Sequence, residues 1–198
     1  MDELDRDTLT EALSALGQVL QVRGLSYQVV VVGGANLTLR GIVSRPTKDA
    51  DLLGTRSPTG PIVRLDELPA PLAEAIGDVA LTYALSKEWL NLGPRSLLGL
   101  PLPDGFEDRL EAADFGALRV WFAGTFDLVC FKLWAAADHW PSIDRHFNDL
   151  LAIGPARDEL LDAARWTRSR DPSPSYRSLL VAVLLRLGVE DAEEALDA

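Results

Sequence analysis

Two aspartates, spaced one residue apart and preceded by a pair of glycines, are the residues of this sequence best suited to chemistry. The β-branched run Val29–Val32 predicts a buried strand that stops at Gly33 and Gly34, where missing side chains permit a close backbone approach. Asp49 and Asp51 begin the next predicted strand, and alternation along it would place both carboxylates on one face. Two carboxylates beside a glycine turn suit a hard divalent cation that grips phosphate oxygens.

Each half of this pattern also has an ordinary structural interpretation. A Gly-Gly pair by itself is typical of a turn, and an Asp-x-Asp pair by itself is typical of a solvated strand end. The order is more specific than either part: strand, Gly-Gly, a helix over Ala35–Arg40 with Gly41 as its C-terminal stop, a basic loop, and the acidic strand. The combination favours a functional site.

This stretch resembles the nucleotidyltransferase superfamily, whose members share a Gly-Gly or Gly-Ser turn and a later acidic pair. It is particularly similar to the small bacterial nucleotidyltransferase-like proteins linked with toxin–antitoxin and abortive-infection systems. There the pattern reads roughly G-G-x-A-L and then R-x-T-x-D-x-D. The matching residues here are Gly33, Gly34, Leu37, Arg45, Thr47, Asp49 and Asp51.

The resemblance implies a function for each part of the pattern. Asp49 and Asp51 would be the catalytic residues and would hold Mg²⁺ or Mn²⁺. The nucleotide-binding residues would be Gly33, Gly34, Arg45, Thr47, Lys48 and Lys132. Lys132 enters because a K-L-x-A helix follows in the family, here within FDLVCFKLWAAADHW, for which Thr125 is the predicted N-cap. The superfamily also contributes a third carboxylate from a neighbouring strand, for which Asp66 and Asp114 are the nearest candidates in the sequence.

The alternation of helix and strand signals predicts an α/β (α+β) fold of the nucleotidyltransferase-like kind. Its small mixed sheet would contain Val29–Val32, Asp49–Leu53 and Leu118–Phe122. Two helices would flank it, one over 7–23 and one over 65–83. Strand signals vanish after residue 122. We therefore expect a nucleotidyltransferase-like domain over 1–125 and a helical C-terminal part over 126–198, packed on it.

The segment Ser86–Phe115 is rich in Gly and Pro and predicts a long irregular stretch that runs over the sheet. Within it, Trp89-Leu90-Asn91 is similar to a W-L-N triplet of the same bacterial family. We expect Trp89 to anchor the segment and Asn91 to cap a short helix.

Other polar residues in the C-terminal part predict ordinary contacts. Arg145 and Asp149 are four residues apart on one predicted helix and could pair. His146 has no second histidine or cysteine at ligand spacing, and His139 is predicted to lie at a helix end, so neither is predicted to bind metal.

Composition limits the class of protein. The 198 residues carry a formal net charge of −11, which disfavours general nucleic-acid binding because that depends on neutralising phosphates. The arginines of the last quarter therefore predict a mixed solvated surface, with an RNA-binding face as the alternative. The single Cys130 predicts a buried thiol without a disulfide partner. The absence of a long apolar run, and of a signal-like start, predicts a cytoplasmic protein without a membrane partner. The family resemblance implies a bacterial one.

Three hypotheses remain open at this point. The first is an enzyme that transfers a nucleoside monophosphate from a nucleoside triphosphate to an RNA or protein acceptor, as a toxin–antitoxin component. The second is a catalytically degenerate nucleotide-binding or partner-binding regulatory module on the same fold. The third is a structural α/β domain with a chance motif.

Overall fold

The computed structural model describes residues 3–57, 60–93 and 101–197. Part of the segment predicted to be irregular, residues 94–100, lies outside these ranges. The chain divides into two compact units, the first ending at Ala123 and the second beginning at Gly124.

The first unit is an α/β sheet unit. Its described helices are α1 (Arg6–Val22), α2 (Gly33–Leu39) and α3 (Ala70–Thr82), with a short 3-10 turn at Glu107–Arg109. Its described strands are β1 (Tyr27–Val32), β2 (Ala50–Arg56), β3 (Ile62–Val63), β4 (Leu90–Asn91), β5 (Glu111–Phe115) and β6 (Leu118–Phe122). The predicted fold class is confirmed, including all three strands expected from the sequence.

The sheet is mixed, with the strand order β3-β2-β1-β6-β5 and β4 paired to β2. The strand β1 runs antiparallel to β2 and parallel to β6. In this register Val32 lies opposite Asp51, so the end of β1 meets the start of β2. The glycine turn and the acidic strand are thereby brought to one edge of the sheet.

One face of the sheet is covered by α1 and α3. Leucines at helical spacing on α1, such as Leu9, Leu13 and Leu16, are fully buried in one cluster with Val29 and Val31 of β1. Each such leucine contributes about 1.5–3 kcal/mol by burial. The periodicity that predicted α1 is therefore the pattern that fixes it to the sheet. Val30 and Val32 are equally buried, which explains why β1 reads as a continuous apolar run.

The sequence prediction of an irregular segment up to Phe115 was partly wrong. Glu111–Phe115 is the edge strand β5, which forms a tight antiparallel hairpin with β6 across Gly116. Its sequence, EAADF, has weak strand propensity, and three of its five residues are exposed. The strand forms because β6 offers a partner, and that is a tertiary effect which local sequence does not carry.

The second unit is helical, as expected. Its described helices are α4 (Thr125–Asp138), α5 (Arg145–Ile153), α6 (Arg157–Arg170), α7 (Pro174–Arg186) and α8 (Ala192–Ala195). The N-cap of α4 is Gly124, and not Thr125 as predicted, since Thr125 is already the first helical residue. Cys130 is buried in α4. No helix in the described part of the chain is long and apolar enough to cross a membrane.

Candidate functional site

The two glycines at the start of α2, where the chain turns after β1, leave room for a carboxylate. Gly33 has a φ of +74°, a left-handed conformation that strains any residue with a side chain. A Cβ atom at this position would lie 2.5 Å from Oδ2 of Asp51. At Gly34 a Cβ would lie 3.0 Å from Oγ1 of Thr47 and 3.5 Å from a guanidinium nitrogen of Arg45. The turn therefore lies directly against the acidic strand and the basic loop.

The buried Asn36 holds the turn in place. Its side-chain amide donates to the backbone carbonyls of Val31 (2.9 Å) and Ala123 (3.1 Å), at the ends of β1 and β6. Arg40 donates to the same Ala123 carbonyl and forms an ion pair with Glu111 at 2.7 Å. These contacts fix α2 to the edge of the sheet from which the functional side chains project.

The basic loop is also pinned by backbone contacts. Leu4 and Thr47 form an isolated antiparallel bridge, and the Thr38 hydroxyl donates to the Arg45 carbonyl. The Thr47 hydroxyl donates to the Asp49 carbonyl at 3.1 Å and is buried, so Thr47 shapes the loop that leads into the acidic strand. Lys48, in contrast, is exposed.

Asn91 is a site residue whose place the sequence interpretation missed. It does not cap a helix but lies in the short strand β4, opposite Asp51 in a parallel pair with β2. Its side-chain amide donates to Asp49 Oδ2 at 3.4 Å and to the Glu88 carbonyl at 2.9 Å. The W-L-N triplet carried the signal, because Trp89 is fully buried and donates to the Ile76 carbonyl, anchoring the strand as predicted.

The carboxylate of Asp51 lies between two glycines. Gly33 is adjacent to Oδ2, and a Cβ at Gly93 would overlap Oδ1 of Asp51 and lie 2.9 Å from Oδ1 of Asn91. Asp49 precedes β2, which begins one residue later than predicted, and it contacts the same Asn91 side chain. Asn91 thus contacts Asp49 and lies beside Asp51, and a side chain at either glycine would collide with the Asp51 carboxylate.

Of the two acids proposed from the sequence as a third carboxylate, Asp114 does not reach this point. Asp114 lies opposite Arg119, and Arg119 lies opposite Gln28, four residues before the end of β1 at Val32. Asp114 is therefore about 13 Å away along the strands and three strand spacings, about 14 Å, across the sheet. It pairs with Arg119 at 2.6 Å. Asp66 lies exposed in the connection between β3 and α3.

The donor set fits a hard divalent cation. Mg²⁺ takes oxygen ligands, is held by one or two carboxylates, and keeps open positions for water and substrate phosphates. Asp49 and Asp51 supply carboxylates, and Asn91 adds a neutral oxygen beside them. A third negative ligand is absent from this set.

In the second unit, Lys132 is buried and not solvated. Its Nζ lies 2.7 Å from Oδ2 of Asp149, and the two side chains are 5% and 1% exposed. The predicted pairing of Asp149 with Arg145 was wrong: Asp149 faces α4 and joins it to α5 through Lys132. The predicted role of Lys132 in nucleotide binding stays a prediction.

The two histidines also come together in the second unit, contrary to the expectation from their spacing. His139 caps the C-terminus of α4, Asp144 is the N-cap of α5, and His146 follows in the first turn. The His139 and His146 ring centroids are 5.3 Å apart, and His139 Nδ1 lies 2.6 Å from Asp144 Oδ2. Burial, followed by the charge of Lys132, lowers the pKa of His146 to about 4.

Comparison with known protein families gives a match over the region that contains the two glycines and the acidic strand. Residues 7–140 match a family described as a nucleotidyltransferase of unknown function (DUF6036). No match was found among curated proteins or among solved structures. The matched region covers the whole described sheet and α4, including every residue around the two aspartates. The chain therefore belongs to this nucleotidyltransferase family.

Proposed function

We propose that the protein transfers a nucleoside monophosphate from a nucleoside triphosphate to a hydroxyl group of an RNA or protein acceptor, with Mg²⁺ or Mn²⁺ as cofactor. The observation that carries the proposal is that the Asp51 carboxylate lies against the Gly33 turn, with Asn91 beside it in contact with Asp49. The family match supplies the reaction class, and the resemblance to toxin–antitoxin proteins supplies the two classes of acceptor.

The reaction breaks one phosphoanhydride bond and forms one ester bond. The acceptor oxygen attacks the α-phosphorus, the bond to the β-phosphate breaks, pyrophosphate leaves, and the hydroxyl proton passes to solvent. The bound metal ion would supply charge neutralisation on the triphosphate and lower the pKa of the acceptor hydroxyl.

The protein's own groups position the nucleotide. Asp49 and Asp51 hold the cation, and Gly33 and Gly34 let the backbone approach the phosphates without side-chain obstruction. Arg45, whose guanidinium lies beside Gly34, supplies positive charge to the same place. Because Asp51 faces the turn and Arg45 reaches it from the basic loop, cation and phosphate would meet at the glycines.

A catalytically degenerate nucleotide-binding or partner-binding module is the second candidate, and Asn91 is the observation that favours it. An amide beside Asp49 brings no negative charge, and its NH₂ group donates to a carboxylate oxygen that would otherwise face the cation. A second metal ion, next to the acceptor hydroxyl, would therefore be held weakly. Such a protein would bind the nucleotide with Mg²⁺ and turn it over slowly.

A label-transfer assay distinguishes the enzyme from the binding module. The protein is incubated with each of the four α-labelled nucleoside triphosphates, Mg²⁺ and total bacterial RNA, and label is measured in RNA and in protein. Transfer that needs Mg²⁺ and disappears in Asp51→Asn supports the enzyme. Nucleotide binding without transfer supports the binding module. Absence of both binding and transfer contradicts the two proposals together.

A further inference from the structure

Both histidines of the chain converge on one aspartate in the second unit. The sequence contains two histidines, and six residues separate them, a spacing that no regular helix would bring together. The turn after α4 reverses the chain and returns it at Asp144, so that His139 and His146 flank that residue. This juxtaposition is separate in sequence and in unit from Asp49 and Asp51.

The three side chains present ligand atoms to one another. One ring nitrogen from each histidine and one Asp144 carboxylate oxygen lie within 4.8 Å of one another. Ligands of a tetrahedral Zn²⁺ ion with bonds of about 2.0–2.1 Å lie about 3.3 Å apart, so small side-chain rotations would suffice. Oδ1 of Asp144 accepts from the backbone of His146 and Phe147, and Oδ2 faces His139.

One ring nitrogen of His146 is unsatisfied. Nδ1 of His146 is buried and has no hydrogen-bond partner among the described residues. Buried polar atoms are normally paired, so an unpaired buried atom needs an explanation, and a bound ion is one. Imidazole nitrogens are the commonest metal ligands in proteins. His139, whose side chain is 49% exposed, gives an ion a route from solvent.

We propose that His139, Asp144 and His146 form a binding site for a divalent transition metal ion, with Zn²⁺ as the reference ion. Two imidazoles and one carboxylate suit Zn²⁺ and the ions around it far better than they suit Mg²⁺. The remaining coordination positions would be filled by water.

The ion would link α4 and α5 at the turn that connects them. His139 ends α4, and the other two ligands begin α5, so one ion would bridge the corner between them. The buried Lys132–Asp149 pair joins the same two helices further along. Bound metal would stabilise the folded chain because the unfolded chain does not hold the three ligands together.

Metal titration of the full chain, free of any histidine tag, tests the site. We expect Zn²⁺ to bind with a stoichiometry of one in calorimetry and to raise the melting temperature, while Co²⁺ gives visible absorption bands of a nitrogen-ligated ion. His139→Ala should weaken Zn²⁺ binding about tenfold or more and abolish those bands. Because His139 is half exposed, we expect the His139→Ala variant to remain folded, and circular dichroism checks this.

Two control variants locate the site. Asp138→Asn changes an exposed carboxylate next to His139 and should leave Zn²⁺ binding unchanged. The double variant Asp49→Asn/Asp51→Asn should also retain it, which separates this site from the proposed nucleotide site. Wild-type protein that binds no Zn²⁺ at micromolar concentration, or His139→Ala with unchanged affinity, would overturn the proposal.

Discussion

Asp51 lies opposite Asn91 in the parallel ladder between β2 and β4, and the Asn91 amide reaches across to Asp49. The residue that faces the acidic pair from the neighbouring strand is therefore neutral. At this position a third carboxylate could share a cation with the pair. If Asp49 and Asp51 hold a cation as proposed, the charge at residue 91 would control how strongly the cation binds and how fast the protein turns over.

Asn91→Asp should make stability dependent on Mg²⁺. Without metal, the new carboxylate would face Asp49 and lose the hydrogen bonds to Asp49 and to the Glu88 carbonyl, so the melting temperature should fall. With Mg²⁺ and nucleotide, the extra charge should strengthen metal binding about tenfold, because affinity rises with the number of charged ligands. Melting temperatures measured with EDTA and with Mg²⁺ plus nucleotide test both the expected loss of stability and the expected gain.

Asn91→Ala is the matched control for that variant. It also loses the amide hydrogen bonds but adds no charge, so Mg²⁺ should not rescue it beyond the wild-type shift. Equal rescue of both variants would show that residue 91 does not contact the metal.

Gly33→Ala and Gly77→Ala should change stability in opposite directions. At Gly33, alanine would be held at positive φ, at a cost of about 1–2 kcal/mol, and its Cβ would press on the Asp51 carboxylate. At Gly77, within α3, a Cβ meets no atom within 4 Å, and the change should stabilise the helix by about 0.5–1 kcal/mol. Urea unfolding of both variants gives the comparison.

Nucleotide binding should separate the same two variants. Gly33→Ala should lose the Mg²⁺-nucleotide melting shift, whereas Gly77→Ala should keep it. A Gly33→Ala protein with a normal shift would mean that the turn is structural only.

The sequence predicted the parts of the site that are encoded locally. The valine run, the two glycines and the acidic pair each carry their own pattern, so β1, α2 and β2 formed within three residues of their predicted bounds. Asn91 and the edge strand β5 could not be placed in this way. Asn91 depends on pairing with β2, which is distant in the chain, and β5 depends on pairing with the adjacent strand β6; neither segment has an alternating apolar pattern of its own.

The C-terminal side chains show the same limit. Helical spacing suggested that Asp149 pairs with Arg145, but Asp149 points to Lys132 of the preceding helix. The sequence spacing of His139 and His146 also gave no reason to expect a contact, but the reversal of the chain between α4 and α5 brings the two rings together. Periodicity predicts which residues share a helix face and does not predict which other helix that face will meet.

Replacing one partner of the Lys132–Asp149 pair should destabilise the protein more than replacing both. Lys132→Met alone or Asp149→Leu alone removes the ion pair and leaves a buried charge that has lost its opposite charge at 2.7 Å, and each should cost about 3–5 kcal/mol of unfolding free energy. The double variant should be more stable than either single variant, which a double-mutant cycle by urea unfolding measures.

The double variant also tests the nucleotide-binding role predicted for Lys132. If Lys132 contacts phosphate, the variant should unfold normally but lose the Mg²⁺-nucleotide melting shift. An undiminished shift would assign the pair to structure alone.

The double variant Asp49→Asn/Asp51→Asn should remove metal-dependent nucleotide binding without unfolding the protein. Wild type should melt at higher temperature with nucleoside triphosphate and Mg²⁺ together than with either alone, since ligands that bind only the folded chain stabilise it. Asn keeps the size of Asp but removes the charge that holds the cation, so the variant should show no such rise.

Asp66→Asn and Asp114→Asn supply the matched controls. Both replace an acid that the sequence offered as a third carboxylate, and Asp114 forms an exposed ion pair with Arg119, which contributes little to stability. Each should keep the full Mg²⁺-nucleotide shift. Persistence of the shift in the double variant would contradict the metal site. Loss of the shift in Asp114→Asn would contradict the register of the sheet. Loss of the shift in Asp66→Asn would identify Asp66 as the third carboxylate.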